Sequence, residues 1–169
     1  IPRKEIAQHE ALILKTLNEI DPSSIGTVVG SYRRGSSDSG DMDILLTGSD
    51  PHIIVKLVAK LGPYILETLA GNKPKDKKFM GICKFGDCPE RRIDMLYTPP
   101  AEYPFALLYF TGPKEFNTRL RAKARTLGYT LNEHRLAPLE KEQEFTTILS
   151  SEKEVVEFLG EDLLDPTKR

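Results

Sequence analysis

Two short segments hold the residues with chemistry in them: Gly30-Ser31-Tyr32-Arg33-Arg34-Gly35 and, just after it, Gly40-Asp41-Met42-Asp43. A predicted strand over residues 25–30 ends at Gly30, where the missing Cβ allows a sharp turn and a close approach to a ligand. The exposed amides of such a turn, with the Ser31 hydroxyl and the Arg34 guanidinium, suit the oxygens of a phosphate chain. Asp41 and Asp43 stand two apart on the next predicted strand, so their carboxylates share one face. Two carboxylates side by side repel, and one takes up a proton unless a cation is near. A divalent cation removes that cost. Hard oxygen ligands suit Mg2+ and also accept Mn2+.

Asp-x-Asp alone is more often a polar loop on a solvent face than a metal site. Its spacing from Gly-Ser-x-Arg-Arg-Gly, and the apolar run Ile44-Leu45-Leu46 after it, make the joint pattern specific. Asp94 is the candidate third carboxylate. It lies in Arg91-Arg92-Ile93-Asp94-Met95-Leu96, with Ile93 and Met95 on the opposite face. Pairing of adjacent antiparallel strands is expected to bring it beside Asp43. Two Mg2+ ions roughly 3.5–4 Å apart would then lower the pKa of an attacking hydroxyl and hold a leaving pyrophosphate. The plainer alternative for Asp94 is an ion pair with Arg91 or Arg92.

The elements that must position these groups follow from periodicity and breakers. Ile6, Leu12, Ile13, Leu17 and Ile20 predict a helix that starts at Pro2 and ends at Asp21-Pro22-Ser23-Ser24. A strand is predicted over 42–47. A helix follows from Asp50-Pro51 through Ile53, Ile54, Leu57, Val58 and Leu61, its apolar run continuing to Leu69. Strands over 79–85 and 92–98 flank a turn at Gly86-Asp87. After Pro99-Pro100 come a buried helix around Ala106–Phe110, a basic amphipathic helix from Lys114 to Leu127, a small hairpin near 129–136 and a short helix over 152–159. The pattern is α+β. The character of the chain changes near Pro99-Pro100 or after Thr111-Gly112, and the expected domains are 1–111 and 112–169.

At 169 residues the chain is one domain or two small lobes, and 39% hydrophobic residues suffice for a core. No apolar run approaches the roughly 20 residues needed to span a bilayer, and no signal peptide is evident. The first residue is Ile1, so the sequence is expected to begin inside a longer protein. Net charge is -1, but the charges are segregated. Lys114, Arg119, Arg121, Lys123, Arg125 and Arg135 oppose only Glu115 and Glu133 over 112–135. A second basic run, Lys73 to Arg92, precedes them, and 140–162 is acidic. Such basic surfaces suit phosphate, and they are also ordinary solvated helix faces. Cys83 and Cys88, with His9, His52 and His134 scattered, support neither a zinc site nor a disulfide framework. Reduced thiols and an intracellular location are expected.

Taken together, Gly-Ser-Tyr-Arg-Arg-Gly, Gly-Asp-Met-Asp, Lys-Phe-Met-Gly-Ile-Cys, Arg-Arg-Ile-Asp and Leu-Tyr-Phe-Thr-Gly resemble, in order, the motifs of the family X DNA polymerases. The resemblance covers essentially the whole chain. It implies a nucleotidyltransferase-type palm of mixed or antiparallel sheet with helices, followed by a small α+β thumb. It implies a template-directed DNA polymerase that fills gaps in repair, working as a monomer on primer–template or gapped DNA and deoxynucleoside triphosphates, away from membranes. A eukaryotic source would place it in the nucleus. By the same resemblance Asp41, Asp43 and Asp94 are catalytic and ligate two Mg2+ ions, and Asp94 accepts the primer hydroxyl proton. Ser31, Arg34 and Gly40 contact the incoming triphosphate, and Arg92 touches the primer backbone. Tyr109, Phe110 and Gly112 lie against the sugar, and Asn117 reads a minor-groove edge. Arg121 and Glu133 belong to a face that checks the nascent pair. Terminal transferase carries Trp in place of this Phe, so Phe110 leans towards templated synthesis. From the residues alone, Tyr109 and Phe110 read first as plain core and Arg121 as one more surface charge.

Two positions depart from the family pattern. Lys114 stands where close relatives often carry an acid near the incoming base. Leu96 stands where polymerase beta has an arginine that pairs with a catalytic aspartate in its inactive state, so that switch is expected to be absent. The amino-terminal lyase and helix-hairpin-helix regions of the cellular enzymes are not in the sequence. The competing readings are an untemplated nucleotidyltransferase of the terminal-transferase kind, and a DNA-binding module with a degenerate site.

Overall fold

In the computed structural model, which describes residues 1–169, the chain divides into two compact units, Ile1–Pro100 and Ala101–Arg169. The first is built on a five-stranded sheet in the order β1-β2-β5-β4-β3: Ile25–Val28 (β1), Met42–Thr47 (β2), Ile65–Ala70 (β3), Lys78–Cys83 (β4) and Arg91–Tyr97 (β5). Helix α1 (Arg3–Ile20) packs on α3 (Ile53–Leu61) and both share the core of the sheet. Pro2 sits just before α1 and its carbonyl accepts from the Glu5 and Ile6 amides at 3.0 and 3.1 Å. A proline that has no N–H is well placed where the helix leaves its first amides unpaired. Ile6, Ile13 and Leu17 bury the inner stripe, and the Asp21 carboxylate ends the helix by accepting from Ser23 and Ser24.

In β2 and β5 successive side chains point to opposite faces of the sheet. Met42, Ile44 and Leu46 of β2 and Ile93, Met95 and Tyr97 of β5 enter the core, which leaves Asp43, Arg92, Asp94 and Leu96 on the other face. One expectation is overturned here: β2 and β5 are adjacent but parallel, not antiparallel, with Asp43 opposite Asp94. The reason is the connection. Parallel neighbours need a crossover, usually a helix. Here α3 carries the chain back to the end where β2 began, so β3 runs the same way as β2. The antiparallel turns β3–β4–β5 then fill the gap between them.

A second difference lies in residues 62–70. The helix stops at Leu61 because Gly62 adopts φ +55° and Pro63 follows. The residues up to Leu69 that extend the helical spacing form β3 instead, an edge strand with two register shifts and with Leu66 and Leu69 each 48% exposed. At the turn after it Gly71 has φ +81°, and a Cβ there would lie 1.7 Å from the Lys78 carbonyl oxygen, so no other residue fits.

Under the sheet a buried polar chain ties α1 to β5. Arg91 donates to both carboxylate oxygens of Glu5, at 2.8 and 2.7 Å. Glu5 also meets His9 Nε2 at 3.3 Å, and His9 Nδ1 lies 2.6 Å from the Tyr64 hydroxyl. Burial lowers the His9 pKa, so the imidazole is neutral at neutral pH: Nε2–H donates to Glu5 and Nδ1 accepts from Tyr64. The Arg91 bonds hold the Glu5 carboxyl down to about 2, against the raising effect of burial. A depressed acid contributes stability above its unfolded pKa and loses it as pH falls through the folded one. The contribution of Glu5 is therefore intact above about pH 4.5 and gone near pH 2. Glu5→Gln should cost about 2–4 kcal/mol, because it leaves Arg91 half-buried without its counter-charge. A urea midpoint measured at pH 7 checks this; an unchanged midpoint would mean that the pair is energetically idle.

The second unit contains α4 (Tyr103–Thr111), α5 (Lys114–Thr126), the hairpin of β6 (Tyr129–Leu131) and β7 (Leu136–Pro138), and α6 (Glu152–Phe158). Its core is Phe105, Leu108, Phe116, Leu120, Ala124, Leu136, Val155, Val156 and Leu159. Because Phe105 and Leu108 belong to that core, α4 goes with the second unit. The division falls between Pro100 and Ala101, at the first of the two changes of character in the sequence and not at 111/112. Tyr129, Phe145 and Phe158 pack edge to face with centroids 5.3–5.5 Å apart and hold the irregular acidic stretch against α6. Arg169 donates to Glu152 at 2.9 Å and lies over the Phe116 ring. The whole is α+β, and no helix is long and apolar enough to cross a membrane.

Candidate active site

Three elements of the first unit converge on one spot. The β1 strand ends and the Val29 amide donates to the Asp43 carbonyl at 2.9 Å, so the chain turns directly beside β2. Gly30 makes the turn with φ +66°, and a Cβ there would come within 3.5 Å of Asp43 Oδ2. A one-turn helix, α2 (Gly30–Arg33), follows. The loop to Asp41 is knit to it: the Ser36 amide donates to the Ser31 carbonyl at 3.0 Å, and the Ser31 and Ser39 hydroxyls are 2.6 Å apart. Ser31 thus belongs to a hydrogen-bonded turn that starts beside Asp43, Arg34 caps α2, and Gly40 immediately precedes Asp41.

Carboxylate oxygens of Asp41, Asp43 and Asp94 all lie within 4.8 Å of one another. Asp41 is exposed, and Asp43 and Asp94 are half-buried on adjacent strands. Burial raises the Asp43 pKa to about 6, and the charges of Asp41 and Asp94 add to the rise, against Lys78 and Arg92. A desolvated carboxyl with two like charges beside it is a setting that a bound cation would relieve. Hard oxygen donors in that arrangement fit a divalent cation of the Mg2+ type. The ion-pair reading of Asp94 also holds, since Arg92 Nε donates to Asp94 Oδ1 at 2.9 Å. Both follow from one fact: residues 92 and 94 share the open face of β5. Leu96 is the next residue on that face, so the arginine on Asp94 is Arg92, and position 96 supplies none.

The remaining candidates belong to the second unit. Tyr109 and Phe110 stand at the end of α4 with rings edge to face at 5.0 Å. Tyr109 is 36% exposed and outside the core, so the plain-core reading fails for it. Gly112 caps α4, its amide donating to Leu108. Asn117 Nδ2 donates to the Tyr109 carbonyl at 2.8 Å and so joins α5 to that end of α4. Tyr109, Asn117, Arg121 and Asn132 border one small hollow floored by Phe105, Leu108 and Leu120. Glu133 stands apart from this group on the β6–β7 turn, 3.6 Å from His134. Lys114 is exposed on the first turn of α5. Arg119, one of the basic residues of α5, is engaged by Glu161 at 3.0 Å.

Two residues were missed in the sequence. Lys78 read only as part of a basic run, yet its charge acts on Asp43, because β4 pairs with β5 and places it opposite Leu96. Asn132 carried no motif, and its place at the hollow comes from the hairpin, where its Oδ1 accepts from the His134 and Arg135 amides.

Residues 1–100 match the family model of the DNA polymerase beta palm, and residues 106–169 match that of the DNA polymerase beta thumb. Among curated proteins, the chain is 29% identical over 187 residues to DNA polymerase lambda of Rattus norvegicus, covering 100% of the chain and 33% of the relative. It is 31% identical over 191 residues to DNA polymerase lambda of Arabidopsis thaliana, covering 100% of the chain and 36% of the relative. It is 25% identical over 203 residues to DNA-directed DNA/RNA polymerase mu of Homo sapiens, covering 99% of the chain and 41% of that protein. The chain therefore spans between a third and about two fifths of the length of these relatives.

Proposed function

The chain belongs to the DNA polymerase beta family, family X, as its palm and thumb, and on that premise we propose that it is the catalytic part of a template-directed DNA polymerase that fills short gaps during repair. The observation that carries the proposal is the convergence of Asp41, Asp43 and Asp94 beside the Gly30 turn. Asp41, Asp43 and Asp94 would hold the divalent cations, Mg2+ or Mn2+, which supply Lewis acidity to the attacking hydroxyl and to the phosphates. The chain's own groups do the rest. Asp94 takes the proton of the primer 3′-hydroxyl, directly or through water, as the new P–O bond forms and pyrophosphate leaves. Arg92, now bonded to Asp94, would touch the primer backbone by exchanging that carboxylate for a phosphate. Ser31, Arg34 and the Gly40 amide hold the triphosphate oxygens. On the thumb, Tyr109 and Phe110 bound the sugar, Gly112 permits close approach of the chain, Asn117 meets a minor-groove edge, and Arg121 and Glu133 test the pair.

A primer annealed to a template with a one-nucleotide gap, supplied with Mg2+ and one deoxynucleotide at a time, tests this. Extension with the complementary nucleotide alone is expected. Extension with every nucleotide would move the chain to untemplated transfer, and tight DNA binding without extension would mean that further parts of the relatives' length are required or that the site is degenerate.

A further inference from the structure

The loop between Gly30 and Gly40 is held from behind by the first turn of α1. Arg3 Nη1 donates to the carbonyls of Tyr32, at 2.6 Å, and Ser36, at 3.3 Å. The Arg3 amide donates to the Ser37 carbonyl at 2.9 Å, Pro2 bridges Asp38, and the Arg3 guanidinium lies 4.2 Å above the Tyr32 ring. Tyr32 is itself steadied by Glu10, whose carboxylate accepts its hydroxyl at 3.2 Å. The side-chain contacts of Arg3 thus go to this loop, whereas α1 is anchored through Ile6, Ile13 and Leu17. Fixing a carbonyl fixes its whole peptide plane, including the N–H on the other side. Arg3 does this at two places, one on each side of Arg34.

We propose that Arg3 is a positioning residue for nucleotide binding: it locks the loop carrying Ser31, Arg34 and Gly40 in the shape that meets a triphosphate, without touching the nucleotide itself. This rests on reading that loop as the triphosphate cradle. A cradle set before binding spares the ligand the cost of ordering it. A loosened one therefore weakens affinity more than it slows the chemical step.

The test compares Arg3→Ala and Arg3→Lys with the unaltered chain. Binding of dATP opposite a templating dT is measured on a dideoxy-terminated primer, kcat and KM on a normal primer, and Mn2+ binding by electron paramagnetic resonance. For Arg3→Ala the dATP dissociation constant is expected to rise about ten- to thirtyfold, with kcat changed less than about threefold and Mn2+ affinity within about twofold. Arg3→Lys should fall between, since one ammonium can reach a carbonyl but cannot bridge two in the fixed plane of a guanidinium. An unchanged dATP constant in Arg3→Ala would overturn the role of Arg3 and leave the cradle reading standing. Parallel loss of dATP and Mn2+ affinity with a lowered melting temperature would also overturn it, because Arg3 would then be general scaffolding. Should Arg3→Ala fail to fold, Arg3→Lys decides: a dATP constant equal to that of the unaltered chain refutes the proposal. If the unaltered chain itself binds no dATP, the cradle reading falls, and the proposal with it.

Discussion

Replacing Asp94 by alanine should lower nucleotide incorporation by about a thousandfold or more and leave the affinity for gapped DNA nearly unchanged. The substitution takes away a carboxylate of the acidic triad and the acceptor proposed for the hydroxyl proton. It also removes the partner of Arg92, whose guanidinium is then available to a phosphate, so DNA binding has no reason to weaken. Asp94→Asn separates the two effects. Its amide oxygen can still accept from Arg92 at almost the same place, but it carries no charge and has little basicity. It should be as inactive as the alanine variant. Single-turnover extension and fluorescence anisotropy on the same gapped substrate give both readouts. Extension by Asp94→Ala within tenfold of the unaltered chain would remove Asp94 from the chemistry.

Asp43→Asn should destroy activity and yet make the metal-free protein more stable. The Asp43 carboxyl is raised from 3.8 to about 6 by burial and by its two acidic neighbours. For an acid raised in the folded state the sign is the reverse of that for Glu5. Its favourable contribution is complete below the unfolded pKa and is lost as pH rises through the folded one. At pH 7.5, without metal, the charged Asp43 therefore opposes folding, by up to about 2–3 kcal/mol from a shift of this size. In the presence of a chelator Asp43→Asn should melt several degrees higher than the unaltered chain at pH 7.5, and the gap should close towards pH 4. Added Mg2+ should raise the melting temperature of the unaltered chain and leave that of Asp43→Asn almost still. Proton competition should also weaken divalent-metal binding below about pH 6. Equal Mg2+ stabilisation of both proteins would mean that Asp43 is not a ligand.

The site was more legible than the frame around it. Gly30, Asp41 and Asp43 could be found because turn and alternation are local properties, written in neighbouring residues. Asp94 could be chosen as the third carboxylate because Ile93 and Met95 fix its face. The direction of β5 against β2 could not be read from either strand, since it depends on what α3 does between them. The uninterrupted run Ile44-Leu45-Leu46, buried throughout, was the available hint, because strands inside parallel pairings lose the apolar–polar alternation. The stretch from Ile65 to Leu69 misled because its leucines continue a helical spacing, although Gly62-Pro63 is a strong stop. The contacts of Arg3 with Tyr32 and Ser36 span about thirty residues of chain and carry no local mark. In the second unit, the apolar run around Ala106–Phe110 looks uniformly buried, and only the packing of Phe105 and Leu108 shows that Tyr109 is turned out of it.

The direct opposition of Asp43 and Asp94 has a consequence for how this protein can fail. Side chains alternate strictly along a strand, so sliding β5 by one residue would turn Asp94 into the core and bring both Ile93 and Met95 out of it. A mispaired sheet would then bury a carboxylate among Met42, Ile44 and Phe79 and expose two of the most deeply enclosed side chains of the unit. The error that misaligns the acids is thus the one the apolar core penalises most heavily. A chain that has reached its folded state has, by the same event, assembled its acidic triad. Losses of activity at the triad should then arise from substitution of a residue, and misregistered chains should be found among aggregates and degradation products rather than in a pool of well-folded, inactive protein.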